Sequence, residues 1–154
     1  MKVCFIGHKY IENEEELASS LKSTVITLIE KGANTFLFGS GSEFNSLSWQ
    51  VVTELKTNYP TIKRVYVRSA YPNIDKDYEE YLLCSYEETY FPDRIQNAGK
   101  ASYVERNNEI IDKSTYCIFY YNESYTPISK RNSGTRIAYE YALKKKKDII
   151  NLYK

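Results

Sequence analysis

Short apolar runs along this chain alternate with longer stretches in which apolar residues recur every three or four positions. Val3 to Ile6 (VCFI) is an unbroken apolar run closed by Gly7, which predicts a buried strand. From Glu12 to Lys31, Leu17, Leu21, Val25, Leu28 and Ile29 fall at helical spacing. Acids crowd the first turn of that stretch and Gly32 follows its last, as the helix dipole and C-cap favour. Thr35 to Phe38 (TFLF) predicts a second strand, broken by Gly39-Ser40-Gly41. Phe44, Leu47, Val51 and Leu55 stripe a second helix that stops before Pro60, and Ile62 to Val67 predicts a third strand. The pattern blurs from Ser69 to Ala98, where Asp75 to Leu83 predicts a short helix and Glu88 to Phe91 a short strand before Pro92. Beyond it come a helix over Ala101 to Ser114, a strand over Tyr116 to Tyr121, and a polar loop over Glu123 to Ser133. A helix over Gly134 to Lys147 and a strand over Ile149 to Leu152 complete the reading.

Strands alternating with amphipathic helices are βαβ units. They predict an α/β fold: a Rossmann-like, doubly wound, mostly parallel sheet with helices on both faces. No repeat or linker divides the chain, so residues 1–154 are expected to form one domain.

Composition narrows the picture. With 21 basic and 20 acidic residues the net charge is +1, which leaves no surplus for counterion-release binding, so nucleic acid is not expected as a partner. Cys4, Cys84 and Cys117 are odd in number, lack CxxC spacing, and in two cases sit in apolar runs, so they read as packing residues and no metal site is expected. The first residues enter a strand without the charged and apolar regions of a signal peptide, and no apolar run approaches the ~20 residues of a membrane span. A cytoplasmic location with no membrane partner is therefore expected. The 16 tyrosines, many of them between Tyr59 and Tyr125, suit a groove wall or a subunit contact, or simple amphipathic packing.

In a parallel sheet all strand carboxyl ends share one edge, where ligands bind at the switch in strand order. Three junctions on that edge carry suitable residues. Gly7-His8-Lys9 follows the first strand and holds the only histidine, able to hydrogen-bond or carry charge toward a phosphate or base, or simply structural. Gly39-Ser40-Gly41, with Ser42, precedes the second helix and is either a plain turn or a place where backbone approaches an anion. It is no P-loop, because the lysine of that motif is absent. Asn132-Ser133-Gly134-Thr135 opens the last long helix, and its hydroxyls and free amides could cap the helix, cradle a phosphate, or do both. Beside them runs Tyr103-Val104-Glu105-Arg106-Asn107-Asn108, with Val104 and Ile111 expected to face the core. Arg106 offers a planar fork for a phosphate or carboxylate, although a solvated arginine is the ordinary case. Lys144 to Lys147 read as a solvated helix end.

GHK after the first strand, GSG after the second, ASYVERNNEIIDKSTYCIFYY and NSGTRIAYEYA together resemble the SLOG superfamily, in its YpsA-like branch, over essentially the whole chain. That superfamily includes the lonely-guy phosphoribohydrolases and the DprA/Smf proteins. The resemblance implies a Rossmann-like fold, a nucleotide or ADP-ribose-like ligand with no other cofactor, and a homodimer or other homo-oligomer. Arg106 matches the catalytic arginine of the lonely-guy enzymes. Their glutamate, three residues after the threonine of the glycine turn, is replaced by Ala138, and the nearest carboxylate is Glu140. Two further positions turn a helix by ~200°, so Glu140 is expected to face away from a ligand.

The first functional reading is therefore a sensor or accessory protein that binds a nucleotide-derived small molecule through Gly7, His8, Gly39, Ser40, Gly41, Arg106, Asn107, Ser133, Gly134 and Thr135. The alternative is an enzyme cleaving the N-glycosidic bond of a nucleoside 5'-monophosphate, with Arg106 and Glu140 as catalytic candidates and Glu43 or Glu105 as stand-in acids. A third is a DprA-like nucleic-acid module, in which tyrosines stack bases.

Overall fold

A computed structural model describes residues 1–124 and 133–154. Asn132 and Tyr125, named above, lie outside the described residues. Eleven elements follow in the order β1 (Lys2–Gly7), α1 (Glu14–Glu30), β2 (Thr35–Phe38), α2 (Glu43–Leu55), β3 (Lys63–Val67), α3 (Lys76–Leu83), β4 (Glu88–Tyr90), α4 (Lys100–Lys113), β5 (Tyr116–Tyr120), α5 (Gly134–Lys144) and β6 (Asp148–Asn151).

The strands form one sheet in the order β4-β3-β2-β1-β5-β6, and every pairing is parallel. The chain runs outward from β1 to β4, then returns to the other side of β1 for β5 and β6. This places the switch point between β1 and β5.

Alternation along the strands divides the core in two. Val3, Phe5, Phe36, Phe38, Ile118 and Tyr120 point to one face with the α1 stripe and the buried side of α2. Cys4, Ile6, Leu37, Val65, Val67, Cys117 and Phe119 point to the other, with Ile110 and Ile111 of α4 and Ala138 and Ala142 of α5. Phe5 stacks on Phe38 at 5.1 Å and on Phe36 at 6.0 Å. Strands covered on both sides need both residue sets apolar, which is why they read as unbroken apolar runs.

Caps fix where helices start. The Ser42 side chain accepts from Asn45 N (3.1 Å), Asp75 from Tyr78 N (2.8 Å) and Ser133 from Arg136 N (3.0 Å). Gly32, at φ 110°, turns the chain out of α1 as a C-cap glycine does. Two expectations need correction. The last long helix ends at Lys144, because Lys146 takes a left-handed conformation and the Lys147 ammonium donates to Asp112 O and Ser114 O, both at 3.0 Å. Lys147 thus caps the end of α4, while Lys144, Lys145 and Lys146 are exposed as expected of a solvated helix end. Val104 is only half-buried, while Ile110, Ile111 and, unexpectedly, Arg106 and Glu109 form the buried face of α4. Among the described residues no helix is long and apolar enough to cross a membrane.

Candidate functional site

A cleft of about 450 Å³ opens at the carboxyl ends of β1 and β5. The turn after β1 supplies Gly7, His8 and Lys9, the turn after β2 supplies Ser40, Gly41 and Ser42, and the start of α5 supplies Ser133, Gly134 and Thr135. Tyr103, Arg106 and Asn107 of α4 form the remaining polar wall. The three junctions singled out in the sequence therefore converge on one rim. Gly39 stands behind that wall: its carbonyl oxygen accepts from Arg106 Nη1 at 2.5 Å.

The four glycines at the cleft, Gly7, Gly39, Gly41 and Gly134, divide into two kinds. A Cβ on Gly7 would lie 2.4 Å from Phe44 Cδ2, and one on Gly39 would lie 2.6 Å from Arg106 Cδ. These two make room for buried neighbours. A Cβ on Gly41 or Gly134 would meet nothing within 4 Å. Only this second pair leaves backbone open toward a guest, as phosphate-binding turns do.

Arg106 is 5% exposed. Besides Gly39, its Nη1 donates to Ser69 Oγ at 3.1 Å, Nε reaches Asn107 Oδ1 at 3.4 Å, and the guanidinium lies 5.5 Å from the Tyr103 ring centroid. Burial lowers its pKa from the ordinary guanidinium value, partly offset by Tyr66 and Tyr103. A guanidinium nonetheless stays protonated. Among the described residues no carboxylate pairs with it, and every partner is a neutral oxygen or ring. A buried cation left so is costly by itself and complementary to an anion. No local pattern signals this, because Gly39 and Ser69 lie 67 and 37 residues away.

His8 departs from its charge-carrying reading. It is buried, its amide donates to Tyr120 O at 3.2 Å, and Nε2 accepts from Asn122 N at 2.8 Å. Burial lowers its pKa, so the ring is a neutral acceptor joining the ends of β1 and β5.

The carboxylates lie elsewhere. Glu140 is exposed and pairs with Arg136 at 3.0 Å, so this catalytic candidate does not join Arg106, while Ala138 is buried three residues after Thr135. Glu43 Oε1 accepts from Ile11 N at 3.1 Å. Glu105 accepts from Gln96 N at 2.7 Å and Asn97 Nδ2 at 2.5 Å, contacts that hold its pKa below the usual carboxylate range. Among the described residues the cleft is lined by two cations, Lys9 and Arg106, and by no acid. Such a wall can hold an anion but supplies no carboxylate for acid–base work.

A family model, YpsA, described as the YspA SLOG family, matches residues 9–153. No curated protein matches the chain. Among solved structures, DNA processing protein A from Helicobacter pylori, described for its single-stranded DNA binding mode, superposes with a TM-score of 0.62 at 14% identity. That match covers 97% of this chain and 63% of the other, so the chain spans less than two thirds of its neighbour's length. The expectation that nucleic acid is not a partner is overturned by this finding. That neighbour binds single-stranded DNA on the same fold, and whole-chain charge averages over the surface, so a balanced total is no ground for excluding such a partner.

Proposed function

The chain belongs to the YspA SLOG family, and from that premise we propose that its cleft binds the phosphate of a nucleotide-derived ligand without hydrolysing it. The observation that carries this reading is Arg106, a buried cation in the cleft with no carboxylate beside it among the described residues. A phosphate would supply the missing negative charge, with Nη2 of Arg106 left to donate to it, since Nη1 and Nε are held by Gly39, Ser69 and Asn107. The open backbone at Gly41 and Gly134 and the Thr135 hydroxyl complete the cradle. The volume falls in the range of small-molecule sites, roughly 300–1,000 Å³.

Calorimetric titration with AMP, ADP-ribose and NAD tests the reading. At least one is expected to bind the wild type, and Arg106→Met to lose most of that affinity. Absence of binding by all three, or equal binding by the variant, refutes the assignment. Incubation with nucleoside monophosphates is expected to release no base, since Glu140 points away and Glu43 and Glu105 are held elsewhere.

A second reading follows from the fold shared with a single-stranded-DNA-binding protein. The same cradle suits the phosphodiester of a single strand. An oligodeoxynucleotide titrated at several salt concentrations tests it, because backbone contacts give an affinity that falls by about 0.7 log units per phosphate contact for each tenfold rise in salt.

A further inference from the structure

A second cavity, of about 320 Å³, adjoins the cleft and shares Ser40 with it. Its walls are of a different kind. Trp49 of α2, Tyr66 of β3, Tyr81 of α3 and Tyr86 surround it, with Gln50 and Ser85 at the rim. Trp49, Tyr66 and Tyr86 are held in place before any guest arrives, and Tyr81 is exposed. Trp49 Nε1 donates to Ser85 O at 3.0 Å, and the Arg64 guanidinium lies 5.6 Å from the Trp49 ring centroid. Arg64 is itself fixed by Glu87 at 2.6 Å and Thr53 at 3.1 Å. Tyr66 and Tyr86 stack at 5.2 Å with 24° between their planes. Fixed aromatic walls bind a flat ring without the entropy cost of ordering them first.

Two buried cations bear on Tyr66, one of the cavity's rings. Both Arg106 and Arg68 act on the Tyr66 hydroxyl, pulling down a pKa that burial raises. Arg68 is 9% exposed, its Nη1 donates to Thr89 Oγ1 at 3.2 Å, and its Nε has no hydrogen-bond partner among the described residues. No described carboxylate pairs with it. Of the two, Arg106 lines the cleft, which meets the aromatic cavity at Ser40.

We propose that the aromatic cavity is a nucleobase site, and that the ligand carries two nucleoside units joined through phosphate, with the linkage passing Ser40 beside Arg106. This rests on the nucleotide reading of the cleft. A cavity of this size, at the lower end for small-molecule sites, has room for a nucleobase. Pyrophosphate-linked and phosphodiester-linked ligands present the same chemistry here.

Trp49 is the only tryptophan, so its fluorescence reports on this cavity directly. The wild type is titrated with AMP, with NAD and with the dinucleotide pdApdA, following binding by calorimetry and Trp49 emission in parallel. NAD or pdApdA is expected to bind and quench Trp49, whereas AMP binds without quenching. Which of the two quenches identifies the linkage. Tyr86→Ala is expected to weaken the quenching ligand about tenfold or more, the loss expected of one base stack, and to leave AMP unchanged. Tyr81→Ala, at a residue 71% exposed, gives the same test with no core contact disturbed.

Binding of both two-unit ligands without quenching overturns the aromatic site and leaves the phosphate cleft standing. Equal quenching by AMP overturns the division into two sites. Binding by none of the three overturns both readings together.

Discussion

Arg106 and Glu109 lie three residues apart on α4, and both are buried, at 5% and 7% exposure. Their surroundings differ in one respect. Glu109 receives Arg94 Nε at 3.1 Å, Lys113 Nζ at 3.7 Å and the Tyr90 hydroxyl at 3.0 Å. Arg94 also reaches Asp112 at 2.9 Å, so this end of the helix is a closed network of opposite charges. Arg106 meets Gly39 O, Ser69 Oγ, Asn107 Oδ1 and the Tyr103 ring, and no acid among the described residues. A buried charge that serves the fold is neutralised by the chain itself, as Glu109 is. One that is solvated only by neutral dipoles leaves room for a counterion from outside. The contrast separates a structural ion cluster from a binding group on one helix, and it makes opposite predictions for the two residues.

The largest effect is expected at Glu109. Glu109→Ala strands Tyr90 and removes one partner from Arg94. Because Arg94 is 38% exposed and keeps Asp112, the cost is expected at about 3 kcal/mol. For a chain of this length that lowers Tm by roughly 6–12 °C, readable by calorimetry. Ligand affinity should be unaffected. A variant as stable as the wild type would remove one side of the comparison.

Arg106→Met reverses the pattern. Taking away a buried charge without an acidic partner costs the unliganded fold little and can stabilise it. Ligand affinity is expected to fall about 100-fold, in the range measured when one member of a buried charge pair is truncated. A saturating nucleotide at 100 times Kd should raise the wild-type Tm by about 5–10 °C and the variant's hardly at all. If Arg106→Met unfolds the protein as Glu109→Ala is expected to, Arg106 is a structural residue and the proposed function fails.

Gly39→Ala sharpens the same point at smaller scale. The added Cβ would lie 2.6 Å from Arg106 Cδ, 2.9 Å from its Nε and 3.1 Å from Val67 O. Destabilisation of about 1–2 kcal/mol is expected, as for other overpacked sites. In an Arg106→Ala background two of those three contacts vanish, so the cost should shrink by half or more. Gly134→Ala, with nothing within 4 Å, serves as the control for unliganded stability. Equal costs in both backgrounds would show that Gly39 is not there for Arg106.

These residues also mark where sequence reading succeeds and where it stops. All eleven elements were legible, because apolar spacing and caps such as Asp75 and Ser133 act within a few residues. The convergence of Gly7, Ser40 and Gly134 was legible too, since parallel strands put their exits on one edge. The burial of Arg106 was not: its partners are distant in sequence, and a lone arginine on a helix looks solvated. Nor did the glycines declare that Gly7 and Gly39 make room for Phe44 and Arg106, which only the packing reveals. The tyrosines between Tyr59 and Tyr125 suggested a groove wall, but the pattern could not single out Tyr66, Tyr81 and Tyr86, which reach one cavity from β3, α3 and the turn after it. Net charge was no ground for excluding nucleic acid, because it sums over the whole surface and a site does not.

His8 gives the smallest effect and asks which cleft groups carry charge. Its Nε2 accepts from Asn122 N, and burial lowers its pKa below the ordinary imidazole value of about 6.5. The unfolded chain therefore takes up a proton on His8 at a pH where the folded protein does not. Stability contributed this way is present above pH ~6.5 and is lost as pH falls from there toward the folded value. The lowered carboxyls of Glu87 and Asp112 act in a separate window, since their ordinary values lie near 4. A modest drop in Tm is thus expected between pH 7.5 and 5.5, and His8→Gln, which keeps an acceptor but does not titrate, should flatten it. Ligand affinity should stay level across the upper part of that range apart from the ligand's own ionisation, because Arg106 keeps its charge and His8 has none to give. A Tm profile unchanged by His8→Gln, or an affinity that climbs on acidification only when His8 is present, would return the histidine to the role of a phosphate-facing cation.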